Sequence, residues 1–166
     1  FYQLCDRNGI LVWQDFMFAC STYPADDEFI ANIRQEAIDN VKRLRNHACI
    51  ALWCGNNECQ DVMYGWGNRK KYYEERGVLP LLESQFKNMY FKCLPEVVAE
   101  YGSGISYRPS SPFAFEDTPS DGVNGDAHYW GVWHGRDSIG HYNVERARFF
   151  SEYGFQSFPE FESVKI

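Results

Sequence analysis

The sequence predicts an α/β fold built on a parallel sheet. Short apolar runs alternate with amphipathic helical stretches, and each run ends in polar or aromatic residues. No fixed-period repeat, low-complexity tract or interdomain linker breaks the pattern. Strands separated by helices need crossover connections, which make neighbouring strands parallel.

The elements follow in order. Asn8-Gly9 stops an opening helix, and Ile10-Leu11-Val12-Trp13 then reads as a buried strand. From Asp26 to about Asn46, Phe29, Ile33, Ala37, Val41 and Leu44 recur at helical steps, with Asp26 or Asp27 as cap. Arg34, Lys42, Arg43 and Arg45 are expected on its solvated face. Ala48-Cys49-Ile50-Ala51-Leu52-Trp53 is the second buried strand, ending in Cys54-Gly55-Asn56-Asn57-Glu58. A loop at Gly65-Trp66-Gly67 precedes helix from about Tyr72 to Tyr101, interrupted near Pro95. Further strands are expected at Ile105–Arg108, Ala127–Trp130 and Ala147–Ser151, with a long surface loop over 113–125.

The residues after the strands are Gln14-Asp15, Asn57-Glu58, Ser110-Ser111, Trp133-His134 and Glu152-Tyr153. A sheet with its polar residues gathered at one end is how a (β/α)8, or TIM, barrel presents a site. With five strands visible and three missing, the expectation is a partial barrel: residues 1–166 as a fragment of a single (β/α)8 domain.

Composition removes several functions. The 166 residues carry 16 Lys and Arg against 23 Asp and Glu, a net charge of -7, and the one basic run is Arg69-Lys70-Lys71. Phosphate contacts need clustered cations, so no nucleic-acid partner is expected. No apolar stretch approaches the roughly 20 residues that span a bilayer, so no membrane role is expected. The opening Phe1-Tyr2-Gln3-Leu4-Cys5 has no initiator Met and no signal-peptide pattern, as expected of an interior fragment. Six cysteines without a CxxC pair, with Cys49, Cys54 and Cys59 at spacings foreign to zinc sites, read as reduced thiols rather than a metal site. The even count still permits disulfides and leaves the compartment open. Five Trp, 11 Tyr and 13 Phe, many beside Gly, Asp, Asn or His, suit either an aromatic core or a sugar site, where rings stack and hydroxyls find polar partners.

Glu58 and Glu152 each follow an apolar strand, where a charge needs a reason. Either alone reads as a solvated loop residue. Two at the C-terminal ends of non-adjacent strands would project into one barrel mouth, an arrangement suited to glycoside hydrolysis.

Three strings carry a resemblance to a known family: Trp13-Gln14-Asp15-Phe16-Met17-Phe18-Ala19-Cys20, Ala51-Leu52-Trp53-Cys54-Gly55-Asn56-Asn57-Glu58 and Ser151-Glu152-Tyr153-Gly154-Phe155-Gln156-Ser157. In order and separation they resemble the catalytic barrel of β-mannosidases of glycoside hydrolase family 2. His128–Gly135 resembles the bacterial members. The resemblance implies a retaining exo-glycosidase that removes terminal non-reducing β-D-mannose by double displacement through a glycosyl-enzyme, with β-mannosides or manno-oligosaccharides as substrates. Glu58 matches the acid/base after barrel strand 4 and Glu152 the nucleophile after strand 7, so the visible strands correspond to about strands 3–7. Asn57 is expected at the sugar 2-hydroxyl, and Asp15 and Trp66 in the mannose subsite. Trp13, Trp53, Trp130 and Trp133 either line the pocket or pack. His128 and His134 either bind sugar or serve the structure, and His47 is expected to cap a helix or lie at the surface. The mechanism uses no metal and no organic cofactor.

The alternatives are a sister family 2 enzyme (β-glucuronidase, β-galactosidase or exo-β-glucosaminidase) and a non-catalytic carbohydrate-binding segment. Retention of both carboxylates disfavours the latter. Strands 1, 2 and 8 and the upstream β-sandwich domains are expected on the rest of a longer enzyme, so the isolated fragment is expected to be inactive. The compartment is not fixed by the sequence; bacterial periplasm or secretion is expected ahead of cytoplasm.

Overall fold

The computed structural model describes residues 1–114, 122–154 and 158–165, in two compact units, Phe1–Ser111 and Pro112–Ile166. The expected loop over 113–125 lies outside the described residues from 115 to 121.

In the first unit, helix α1 (Tyr2–Asn8) stops at Gly9, whose φ of 66° is the left-handed cap a glycine provides. Strand β1 (Val12–Asp15) starts two residues later than the apolar run suggests. Ile10 and Leu11 are exposed, because their amides fall before the pairing that begins with the Val12 N–H donating to the Cys49 carbonyl at 2.7 Å. Helix α2 (Asp27–Leu44) is capped by the Asp26 carboxylate, which accepts from the Phe29 N–H at 2.8 Å. Its predicted stripe holds: Ile33, Ala37, Val41 and Leu44 are buried, with Phe29 partly so.

Strand β2 (Ile50–Cys54) sits centrally between β1 and β3 (Ser106–Arg108), and both pairings are parallel. The expectation of a wholly buried β2 is corrected. Ile50, Trp53 and Cys54 are buried, whereas Ala51 is exposed and Leu52 half-buried. Trp53 settles as a packing residue, stacked on Phe16 with centroids 5.3 Å apart and its indole N–H buried without a partner.

After β2 come α3 (Cys59–Tyr64), α4 (Arg69–Glu75), α5 (Leu79–Lys87), a π-helical segment (Asn88–Cys93) and α6 (Leu94–Tyr101). The expected interruption near Pro95 lies instead at Gly77, with φ of 65°. Pro95 sits in the first turn of α6, where its missing N–H costs least, and the wider π turns lead into it. Leu94, Val97 and Val98 of α6 pack with the α2 stripe and with Val12, Ile50 and Trp53 in one core. The α2 cations are not merely solvated. Arg34 pairs with Glu100 at 3.2 Å, Arg45 donates to the Tyr101 carbonyl at 3.2 Å, and the Lys42 ammonium lies 4.5 Å from the Tyr101 ring.

His47 is neither cap nor surface residue. Its Nδ1 lies 2.6 Å from Asp6 Oδ2, while Asp6 Oδ1 accepts from the Cys49 N–H at 2.8 Å, tying α1 to the entry of β2. The hydrogen bonds from His47 and then Cys49 hold the Asp6 carboxyl at about 2, below the ordinary 3.8.

In the second unit, β4 (Ala127–Tyr129) pairs in parallel with β5 (Phe150–Tyr153), followed by the short helix α7 (Phe161–Val164). The strand expected over Ala147–Ser151 thus starts later, where pairing with β4 begins. Before it, the Arg148 N–H is occupied by the Gly122 carbonyl at 2.8 Å. A 3-10 turn (Ile139–Asn143) brings Tyr142 against Tyr129 and Tyr153. Among the described residues, no helix is long and apolar enough to cross a membrane.

Two outcomes test this account. Leu94→Ala, at a fully buried position, should cost about 2–5 kcal/mol in chemical denaturation. Asp6→Asn should lower the thermal midpoint at neutral pH. Because the folded-state value lies below the unfolded one, the Asp6 contribution is complete above the ordinary 3.8 and fades as pH falls through about 2. The gap between wild type and Asp6→Asn should therefore close over that window.

Candidate active site

The C-terminal ends of β1–β3 are laced together beyond the regular sheet. Asn57 forms parallel bridges to Ala19 on one side and Ser111 on the other. Its N–H donates to the Phe18 carbonyl at 2.9 Å, and its own carbonyl accepts from the Cys20 N–H at 2.8 Å. The Glu58 N–H donates to the Ser111 carbonyl at 2.7 Å. Gly55 permits the close approach, since a Cβ there would collide with the Pro109 carbonyl and the Tyr107 hydroxyl.

Asn56, one residue earlier, is completely buried and uses both ends of its amide. Its Oδ1 accepts from the Cys59 N–H at 3.0 Å and the Ser110 hydroxyl at 2.8 Å, and its Nδ2 donates to the Pro109 carbonyl at 2.8 Å. This side chain joins the first turn of α3 to the loop after β3.

Glu58 does not directly follow the strand. It is the N-cap of α3 in a left-handed conformation, φ 58° and ψ 11°. Such a backbone is unfavourable for a glutamate and persists because both flanks are pinned. Cys20 is also left-handed, at φ 52°. Its Sγ lies 3.4 Å from Glu58 Oε2, and Asn57 Nδ2 donates to the same sulfur at 3.7 Å. Partial burial and the Glu58 carboxylate both push the Cys20 thiol up, so it stays protonated at neutral pH. Burial likewise raises the Cys59 thiol and the Tyr90 phenol.

Of the other expected residues in this unit, Trp13 and Asp15 form a pair, the indole Nε1–H donating to Asp15 Oδ1 at 2.8 Å. Trp66 stands on the loop between α3 and α4, 41% exposed, with the Arg69 guanidinium 6.0 Å from its ring.

In the second unit, Glu152 lies within β5 rather than after it, opposite His128 of β4 in register. His128 Nδ1 is 3.5 Å from Glu152 Oε2; the histidine side chain is almost wholly buried and the glutamate one-third exposed. The adjacent Asp126 is buried, and its carboxylate accepts from the Ser151 hydroxyl at 2.6 Å and the Phe113 N–H at 2.9 Å. Trp133 packs edge-on against His134, with centroids 5.8 Å apart, in the turn that follows Trp130. Phe155, Gln156 and Ser157, the end of the third sequence string, lie outside the described residues.

The structure therefore groups Asn57 with Glu58, Trp13 with Asp15, and His128 with Glu152. Sequence reasoning missed Cys20, Asn56 and the Asp126–Ser151 pair. The doubled Asn-Asn before Glu58 was a visible signal for the second of these, since one amide can serve the scaffold while its neighbour faces outward.

A parallel α/β segment with carboxylates at the C-terminal ends of strands is the kind of framework on which hydrolytic sites are built. No model of a known protein family matches the chain. The chain is 41% identical over 167 residues to β-mannosidase B of Aspergillus fumigatus, covering 99% of this chain and 20% of that protein. It is also 41% identical over 169 residues to β-mannosidase B of Thermothelomyces thermophilus, covering 99% and 19%. The crystal structure of the β-D-mannosidase from Dictyoglomus thermophilum matches with a TM-score of 0.80 at 42% identity, over 99% of this chain and 19% of that one. By sequence and structure the chain is thus related, along its whole length, to a segment of the β-mannosidases. It spans about one fifth of the length of these relatives.

Asn56→Ala should strand a buried amide, a buried hydroxyl and a carbonyl at once, each worth about 1–3 kcal/mol when unsatisfied. We expect a loss of at least about 2 kcal/mol in urea unfolding, with Asn56→Asp failing to restore it because Nδ2 is also used.

Proposed function

We propose that residues 1–166 are a fragment of a single (β/α)8 catalytic domain, about strands 3–7, of a retaining exo-β-mannosidase of glycoside hydrolase family 2. The reading is carried by the position of Glu58 and Glu152 at the C-terminal ends of parallel strands, in a chain similar throughout to proteins named β-mannosidase. The half-open second face of β2, where Ala51 is exposed, suits a barrel interior that the remaining strands would fill.

In this reading Glu152 attacks the anomeric carbon while Glu58, protonated, delivers its proton to the departing glycosidic oxygen. The product is a mannosyl ester of Glu152. Loss of the Glu152 charge then strengthens Glu58 as an acid, so in its ionised form it takes a proton from the incoming water, and the ester is cleaved with net retention. Retention calls for carboxyl groups about 5–5.5 Å apart in the complete enzyme. His128, on the neighbouring strand, positions Glu152, its Nδ1 3.5 Å from Oε2. Asn57 and Asp15 supply polar contacts to the terminal mannose, with Trp13, Trp66 and Trp133 as aromatic faces. Strands 1, 2 and 8 and the upstream β-sandwich domains complete the pocket, so the isolated chain is inactive.

The test uses the complete enzyme on a panel of nitrophenyl glycosides, where the β-mannoside should be hydrolysed in preference to the β-glucuronide, β-galactoside and β-glucosaminide. Glu152→Gln should abolish turnover while leaving the circular dichroism spectrum unchanged. Glu58→Ala should lose about 10²–10⁴-fold on mannobiose and far less on the dinitrophenyl mannoside, with azide giving β-mannosyl azide. Equal loss on both substrates would remove Glu58 from the acid/base role.

A further inference from the structure

Cys20 is the one exposed cysteine of the six. It occupies a left-handed backbone position that a cysteine rarely adopts. The conformation is not set by a turn of its own. It follows from the bridge that ties Ala19 to Asn57 and from the Cys20 N–H bonded to the Asn57 carbonyl. The result is a sulfur aimed at one oxygen of Glu58, 3.4 Å away, and contacted from behind by the Asn57 amide at 3.7 Å. Cys20, remote in sequence, thereby links the side chains of the adjacent Asn57 and Glu58.

We infer that Cys20 is a positioning residue for Glu58: its S–H donates to Oε2 in both protonation states and fixes the orientation of the carboxyl. This rests on the acid/base role proposed for Glu58. A sulfur that receives an N–H from Asn57 directs its own hydrogen away from that amide, toward the carboxyl oxygen. A protonated carboxyl has one hydroxyl and one carbonyl oxygen. A donor on Oε2 fixes the plane in which the carboxyl presents its proton, the pre-orientation a general acid needs before substrate arrives. No atom is transferred from sulfur at any step. The thiols of both Cys20 and Cys59 feel the Glu58 charge, and both remain neutral at working pH because burial raises them.

The test compares Cys20→Ala, Cys20→Gly and Cys20→Ser in the complete enzyme. Glycine is included because it suits the left-handed position, so one donorless variant carries no added backbone strain. Loss of the donor destabilises ionised Glu58. The basic limb of kcat/KM should therefore move up by roughly half a pH unit in the Ala and Gly variants. Their kcat on mannobiose should fall about tenfold with KM little changed, and far less on the dinitrophenyl mannoside. Serine, which keeps an O–H donor, should restore both the limb and the leaving-group dependence. Wild-type limbs and wild-type leaving-group dependence in the Ala and Gly variants would overturn the inference, as would a serine variant no better than alanine. Glu58→Ala, assayed alongside, separates the two failures. If it shows no selective loss on mannobiose, the acid/base reading falls; if it does while the Cys20 variants stay normal, only the positioning role falls.

Discussion

Asn56 and Asn57 are neighbours with opposite duties, and the first unit depends on that division. The Asn56 amide is wholly internal and spends its bonding capacity on Cys59, Ser110 and Pro109. The Asn57 main chain bonds the Phe18 carbonyl and the Cys20 N–H on one side, and on the other the Asn56 carbonyl and Glu58 N–H that flank it bond Ser111. Buried polar groups of this kind stabilise only when fully matched, and here every partner is a backbone or hydroxyl group on a different segment. Three strand ends thus become one rigid platform, although β3 itself is only three residues long. Gly55 is the steric condition for the arrangement, because any side chain there would push Pro109 away.

The platform explains how Glu58 can hold a backbone conformation that glutamate does not choose. Its N–H is fixed on Ser111, its carbonyl accepts from Val62 in the first turn of α3, and the residues before it are locked by Asn56. Strain of order 1–3 kcal/mol can be held at such a point only where the surroundings over-determine it. The reward is directional. A carboxylate on a left-handed cap leaves the helix axis and points across the strand ends instead of capping its own helix, and no side-chain capping bond is formed. The second unit reaches a similar end by a different route: Glu152 lies in regular strand geometry, and Asp126 locks the preceding Ser151.

What could be read from the sequence and what could not divides along physical lines. Helix α2 was legible because an apolar stripe and an Asp cap are local signals with one period. The five parallel strands were legible as runs, but their ends were not. Ile10 and Leu11 are as apolar as Val12, and only the partner segment decides which residue pairs first. Pro95 suggested a break that the π segment absorbs, since backbone period is invisible in composition. The Asp6–His47 tie joins residues 41 apart, beyond any local rule. At the site, the carboxylates were legible as charges at strand ends. The left-handed backbone of Glu58 and Cys20 was not, because neither residue type signals it as a glycine would.

The thiol that contacts Glu58 and the imidazole that contacts Glu152 differ in one property that bears on the roles proposed for the two carboxyls. A thiol is neutral or negative, never positive; an imidazole is neutral or positive, never negative, under ordinary conditions. Glu58 has the thiol. Glu152 has the imidazole. A group that must give up a proton in one step and recover it in the next needs a neighbour that fixes its direction without fixing its charge. A weak neutral donor such as S–H orients the carboxyl while leaving its charge free to change. The nucleophile has the opposite requirement, because it must be ionised when substrate arrives, and a residue able to carry positive charge serves it best. Under the roles proposed above, sulfur beside Glu58 suits a carboxyl that cycles and nitrogen beside Glu152 suits a carboxylate that attacks.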